Sequence, residues 1–466
     1  MKILRILKEI KMRLLPPSSK SFHSRMNALT SLVSNRDNHL EWLEYAILHQ
    51  GMEEKLRRKI RLGGKVKVVF IIQYAAKFEC KSIYDAMEKS DLFDPYILIT
   101  HPRDKLFDEE SIYIREVKET FALFTKRGYK TIFGYDESMR PIGLERMNPD
   151  IVFWNNPNMY NRSHYQNIYI NANYLTCYAP YFFNSAHLKD RARYIYSCEN
   201  YQSNTAWKIF SECYSSFYQL IEKPAKRALR PSQYVAINAV LSGYPKLDAY
   251  AKEEQELTVP QKIDNGNPIV IYAPHWSIHA DTWLSTFHLF NQQFLQLVKD
   301  NPAINFVFKP HPDLLNRLID LKNAGRNDSL TPEQYEAYIE EWAAFPNGIY
   351  VNDGEYIDLF KKSACLITDS GSFIAEYLPS GHPCIYILNP EKTNPLDFYS
   401  ELGRRIVESY YCCSDWDTIE RYFKDVVINK NDPNKELRRQ IVKEEYLNIG
   451  TAGQFICDYL TQLLTD

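Results

Sequence analysis

With 466 residues, 45% of them hydrophobic, the chain is long enough for two or three domains with sizeable cores. Its 56 Lys and Arg nearly balance 58 Asp and Glu, which excludes the global positive field of a nucleic-acid binder. The nine Cys are scattered without a C-x-x-C pair, so neither a disulfide framework nor a Cys-rich metal site is written in the sequence, and no apolar run approaches the roughly 20 residues of a spanning helix.

Residues 1–15, MKILRILKEIKMRLL, are basic and amphipathic. Lys2, Arg5, Lys8, Lys11 and Arg13 accompany a broad Ile/Leu face, a composition suited to an anionic membrane surface or to packing on protein. No signal peptide with a cleavage site is apparent, so the expected location is cytoplasmic, peripheral on the inner face of the membrane. Pro16-Pro17 closes this segment, and residues 22–60 read as further helix whose charged run, Glu53 to Arg61, is expected to be solvated.

Gly63-Gly64 marks a boundary before the strand Lys65–Gln73. A helix at Ser82–Lys89, a strand at Tyr96–Thr100, a helix at Asp108–Arg127 and strands at Thr131–Phe133 and Asp150–Trp154 follow. Short strands are expected at Ile168–Ile170, Leu175–Tyr178 and Tyr194–Tyr196, and a helix at Thr205–Ile221. A second alternating series starts at Pro268: strands Ile269–Tyr272, Ile304–Phe308, Ile349–Val351, Cys365–Thr368 and Cys384–Leu388 alternate with helices, and helices from about Trp416 close the chain. Alternation at this spacing predicts an α/β protein of two doubly wound, Rossmann-like domains facing a cleft. The boundaries read as a helical extension at 1–62, a first domain at 63–250, a linker at 251–267, a second domain at 268–430 and C-terminal helices at 431–466.

Ligands of such sheets bind outside the carboxyl ends of the strands. Three loops there are polar: Ala273-Pro274-His275-Trp276-Ser277, Lys309-Pro310-His311-Pro312 and Asp369-Ser370-Gly371-Ser372. The last joins a strand to a helix, where free N–H groups and the helix dipole favour an anion; the competing reading is an ordinary Asp/Ser N-cap. His279 and His288 read as structural, and no histidine shows metal-ligand spacing with carboxylates.

These loops, with Gly243-Tyr244-Pro245-Lys246-Leu247-Asp248 before the linker, resemble the CDP-glycerol glycerophosphotransferases, the teichoic-acid and capsule polymerases of the GT-B fold. The resemblance covers residues of about 235–400: a G-Y-P-R-x-D stretch with Lys246 in place of Arg, a Y-A-P loop, a K/R-x-H-P loop and an acidic–Ser–Ser turn. It implies a CDP-alditol donor, a polysaccharide or lipid-linked acceptor, release of CMP and no cofactor. His275 and His311 are then the catalytic candidates, and Ser277, Lys309, Asp369, Ser370, Gly371, Ser372 and Glu376 the donor-binding ones. The acceptor-side motif W-H-G-T-P is missing; Cys177-Tyr178-Ala179-Pro180-Tyr181 stands at the comparable place. The base that accepts the acceptor's proton is therefore sought at Glu79, with Tyr178, Tyr181, His164 and His187 as alternatives. Sugar transfer or nucleotide-sugar epimerisation by the same fold, and a non-catalytic assembly scaffold, are the rival readings.

Overall fold

The computed structural model describes residues 44–72, 78–100, 112–154, 167–180, 182–184, 205–227, 238–280, 283–326, 329–352 and 354–466. Residues 1–15, the expected strand at Tyr194–Tyr196, and Tyr181, His164 and His187 lie outside them.

Among the described residues two all-parallel sheets form. The first contains β1 (Val66–Ile72), β2 (Phe93–Ile99), β3 (Thr131–Phe133), β4 (Ile151–Trp154), β5 (Leu175–Tyr178), β6 (Lys208–Ser211) and β7 (Ala239–Leu241), in the order β3-β2-β1-β4-β5-β6-β7. The second contains β8 (Ile269–Ala273), β9 (Asn305–Phe308), β10 (Gly348–Tyr350), β11 (Cys365–Thr368), β12 (Cys384–Ile387) and β13 (Tyr411–Cys413), in the order β10-β9-β8-β11-β12-β13. In each sheet the strand order reverses at the first strand, between β1 and β4 and between β8 and β11. Central strands such as β4, β5, β8 and β11 are buried at every residue, as continuous apolar runs must be when both sheet faces are covered.

Three local expectations change. Ile168–Ile170 lies within a helix, Asn167–Asn173, because Ile170 and Tyr174, four residues apart, both enter the core. The expected helix at Thr205–Ile221 begins as β6 and becomes helical only at Tyr214: the apolar run KIFS slots between β5 and β7, a case that periodicity alone does not decide. The charged run after Glu53 is not simply solvated, since Glu53 accepts from Trp207 Nε1 at 3.1 Å and from Arg57 at 3.0 Å. A strand at β13, not read from the sequence, extends the second sheet.

The chain crosses between the sheets twice, through residues 242–268 and again through 446–451. Helix Lys435–Glu445 packs with the second sheet, where Ile441 and Tyr446 join its core. Helix Ala452–Thr465 returns to the first, and Ile456, Cys457, Leu460 and Leu464 fill that core beside Ile83 and Met87. Gly453 permits this approach: a Cβ there would collide with the backbone of Ser82. The crossings touch at Gly243. Its φ of +87° favours glycine, and so does the Leu447 carbonyl, which a Cβ at this position would approach to 2.5 Å. Asn448 also donates to the Ser242 carbonyl at 2.9 Å.

Asp248 completes the link. Its carboxylate accepts from the N–H groups of Ala452 and Gly453, both at 2.7 Å, at the first turn of the last helix. Asp248→Ala is expected to remove about 1–2 kcal/mol of stability, seen as a lower denaturation midpoint with the second-sheet thiols still protected. An unchanged midpoint would show that the cap contributes nothing.

Candidate active site

The three loops converge at the point where the second sheet reverses. β8 delivers His275, β9 delivers His311, and β11 delivers Asp369 to Ser372. Backbone bonds continue the sheet register into the loops: Lys309 N–H donates to the Tyr272 carbonyl at 2.8 Å, and His311 N–H to the Pro274 carbonyl at 3.0 Å. Thr368 Oγ1 donates to the Ala273 carbonyl at 2.5 Å and accepts from the Ser370 N–H at 3.0 Å.

Asp369 is the tie between them. One carboxylate oxygen accepts from the His275 N–H at 2.5 Å; the other accepts from the Thr286 N–H at 2.6 Å and its hydroxyl at 2.8 Å. The Asp369 carbonyl accepts from Tyr386 at 3.1 Å. Both carboxylate oxygens are thus engaged by protein, and the side chain is buried. Its role here is to hold the loops, not to accept from a donor hydroxyl.

The two imidazoles stand 5.2 Å apart, centroid to centroid, at 64°. The Nδ1 of each faces the backbone two residues on: Ser277 N–H donates to His275 at 3.3 Å, and Asp313 N–H to His311 at 3.1 Å. An Nδ1 that accepts leaves the proton of the neutral ring on Nε2. Burial, with His311 adding to it, holds His275 well below the usual imidazole range, so it is a neutral donor at physiological pH.

Ser277 belongs to this arrangement differently from the expectation. It is buried, its Oγ lies 2.8 Å from His275 Nδ1 and accepts from the Leu284 N–H at 2.8 Å. It orients the imidazole rather than lining a donor pocket. Ser370 and Ser372 have their hydroxyls 3.4 Å apart, and the Ser372 side chain makes no cap bond to the helix it precedes, Phe373–Tyr377. The N-cap reading therefore fails for Ser372. Gly371 is set by packing: a Cβ would lie 3.0 Å from the Phe398 ring.

Other candidates fall elsewhere. Lys309 is buried, its ammonium 4.9 Å from the centroid of the Tyr356 ring. Glu376 is neither solvated nor open to a nucleotide: at 2% exposure it accepts from Tyr244 at 3.2 Å and from the Tyr356 hydroxyl, while its backbone carbonyl accepts from Tyr250 at 2.9 Å. Tyr178 is a core residue 4.7 Å from the Trp154 ring, which removes it as an acceptor-side group. Glu79 is buried beside Lys246, at 3.5 Å. Thr286 and Tyr356 carry no sequence signal; Tyr244 and Lys246 do, inside the G-Y-P-K-L-D stretch. Among the described residues no group of three His, Cys, Asp or Glu side chains is placed to hold a metal ion.

Residues 199–410 match the family model described as CDP-glycerol:poly(glycerophosphate) glycerophosphotransferase, a span that includes all four resembling stretches and bears out the resemblance. Among solved structures, the chain is similar to a variant of the wall teichoic acid polymerase TagF, at 14% identity and a TM-score of 0.52, over 93% of this chain and 98% of that one. It is similar also to the UDP-GlcNAc 2-epimerase of Neisseria meningitidis with UDP-GlcNAc bound, at 14% identity and a TM-score of 0.51, over 85% of this chain and 100% of that one. At these identities the likeness is of fold, and the fold is GT-B. No curated protein sequence matches the chain.

Burial pushes the Asp369 carboxyl up to about 6, against the pull of its N–H donors. A raised acid favours the protonated folded state, so its contribution to stability is full at acid pH and is lost as pH rises from the ordinary carboxylate range through about 6. The wild-type Tm should therefore fall, relative to that of Asp369→Asn, between about pH 4 and pH 6. Parallel Tm profiles for the two proteins would contradict the raised carboxyl.

Proposed function

We propose, from the match of residues 199–410 to the CDP-glycerol glycerophosphotransferase family model, that the chain moves an alditol phosphate, glycerol phosphate first among them, from a CDP-activated donor to a hydroxyl of a cell-surface polysaccharide or teichoic-acid-like acceptor. The acceptor oxygen attacks the β-phosphorus, the new O–P bond forms, the P–O bond to CMP breaks, and the acceptor proton is released. The observation that carries the reading is the pair of imidazoles, His275 and His311, set 5.2 Å apart on the loops that meet the Ser370 and Ser372 turn.

A phosphoryl transfer of this kind asks chiefly for positioning and for donors aimed at oxygens that gain charge. His275 and His311 supply two such donors, and Ser370 and Ser372 two more. A neutral imidazole donates without bringing a charge that must be desolvated, which suits the buried position of His275. A largely dissociative transition state asks little of a base.

Purified protein incubated with CDP-glycerol, CDP-ribitol, UDP-GlcNAc and CMP-sialic acid, each with a crude capsule acceptor, is expected to release CMP from a CDP-alditol. His311→Ala should lower that release by about 100- to 1,000-fold while leaving the Tm within a few degrees. UDP from UDP-GlcNAc, with the CDP donors untouched, would replace alditol-phosphate transfer by sugar transfer.

The acceptor class also supports a membrane-facing enzyme. No helix among the described residues is long and apolar enough to cross a membrane, and we assign contact with anionic lipid to residues 1–15. Deleting them is expected to abolish co-sedimentation with phosphatidylglycerol liposomes while leaving turnover of a water-soluble acceptor intact. Equal sedimentation of both proteins would give the segment to a protein partner.

A further inference from the structure

Lys246 is the one element of the G-Y-P-K-L-D stretch that the fold does not consume. Tyr244 donates to Glu376, and Asp248 caps the last helix. The Lys246 ammonium instead has Glu79 at 3.5 Å, an ion pair without a hydrogen bond, and the Tyr356 ring centroid at 4.3 Å. Its side chain is only 13% exposed. Among the described residues no acceptor is within hydrogen-bonding geometry of its three N–H groups. By contrast the partly exposed Lys252 is bonded to both oxygens of Asp358, at 2.8 and 2.7 Å.

Its surroundings point to what it awaits. Glu79 comes from the first sheet, just before helix Lys81–Lys89; Tyr356 and Lys309 come from the second. Lys309 lies two residues before His311, and its ammonium rests on the same Tyr356 ring. The ring thus carries two ammonium groups, one of them from the loop that holds His311. An anion with several acceptor oxygens can take the Lys246 N–H groups together.

We propose that Lys246 is a phosphate-contacting residue, its ammonium held on the Tyr356 ring and, beside Lys309, exchanging Glu79 for the diphosphate of a nucleotide donor held by the imidazole loops. This rests on the reading of the site as a diphosphate pocket, and it changes the part played by Glu79. A carboxylate already compensated by an ammonium is a counter-charge that competes with the incoming anion for Lys246, not the group that accepts the acceptor's proton.

The test uses the full chain and inorganic pyrophosphate, with affinity read by calorimetry and fold by Tm. Lys246→Met should weaken pyrophosphate binding by about 10- to 100-fold, the range of one charge-assisted hydrogen bond, and Lys246→Arg should restore most of it. Glu79→Gln, which frees the ammonium, should tighten binding. Equal affinity in wild type and Lys246→Met, or no binding by the wild type, overturns the proposal. If Lys246→Met does not fold, the opposite signs expected for Lys246→Arg and Glu79→Gln decide, and a loss of affinity in Glu79→Gln overturns it. Because binding is read without turnover, charge-dependent affinity in a protein that does not use CDP-glycerol would leave the cation site standing and fail only the donor assignment.

Discussion

The Asp369 carboxylate accepts from the backbone of His275 and from the backbone and hydroxyl of Thr286, and the rest of the site depends on those three bonds. β8 and β11 are neighbours in the sheet, so their loops leave side by side, but a sheet fixes only where loops begin. What fixes the loop bodies is a charged acceptor taken out of water and surrounded by donors that have few other partners. The cost of that burial appears in the raised carboxyl of Asp369. The benefit is geometric: with the His275 backbone held, Ser277 can direct the imidazole, and the Pro274 carbonyl can receive the His311 N–H.

Much of the fold is legible in the sequence because the strands are short apolar runs separated by amphipathic helices, and a doubly wound sheet follows from that alternation. The failures cluster where a run is too short for periodicity to speak. KIFS reads as helix or strand equally well until β5 and β7 offer it hydrogen bonds, and NIYINAN shows its helical face only once Ile170 and Tyr174 are seen in one core.

The site divides in the same way. That His275, His311, Ser370 and Ser372 come together at one sheet reversal is legible from position alone, since the loops that carry them follow neighbouring strands. The polar residues that prove structural are not separable by type: Ser277 looks like Ser370, and Glu376 looks like any helix-surface glutamate. What distinguishes them is the partner, and the partners lie far away in sequence. Glu376 meets Tyr244 across 132 positions and Tyr356 across 20. In sequence the G-Y-P-K-L-D stretch carries a resemblance only; its chemistry, in which one tyrosine, one lysine and one aspartate serve three different neighbours, exists only at the junction of the two sheets.

Helix Ala452–Thr465 has a consequence for how the molecule is made. Its apolar face belongs to the core under β1 and helix Lys81–Lys89, yet it leaves the ribosome after everything else described. During synthesis the second sheet has all its strands and its Lys435–Glu445 helix before the first sheet receives Ile456, Leu460 and Leu464. The usual order, in which the amino-terminal half settles first, is therefore inverted where this helix docks. Until those residues arrive, the nascent first half lacks the side chains that complete its core beside Ile83 and Met87.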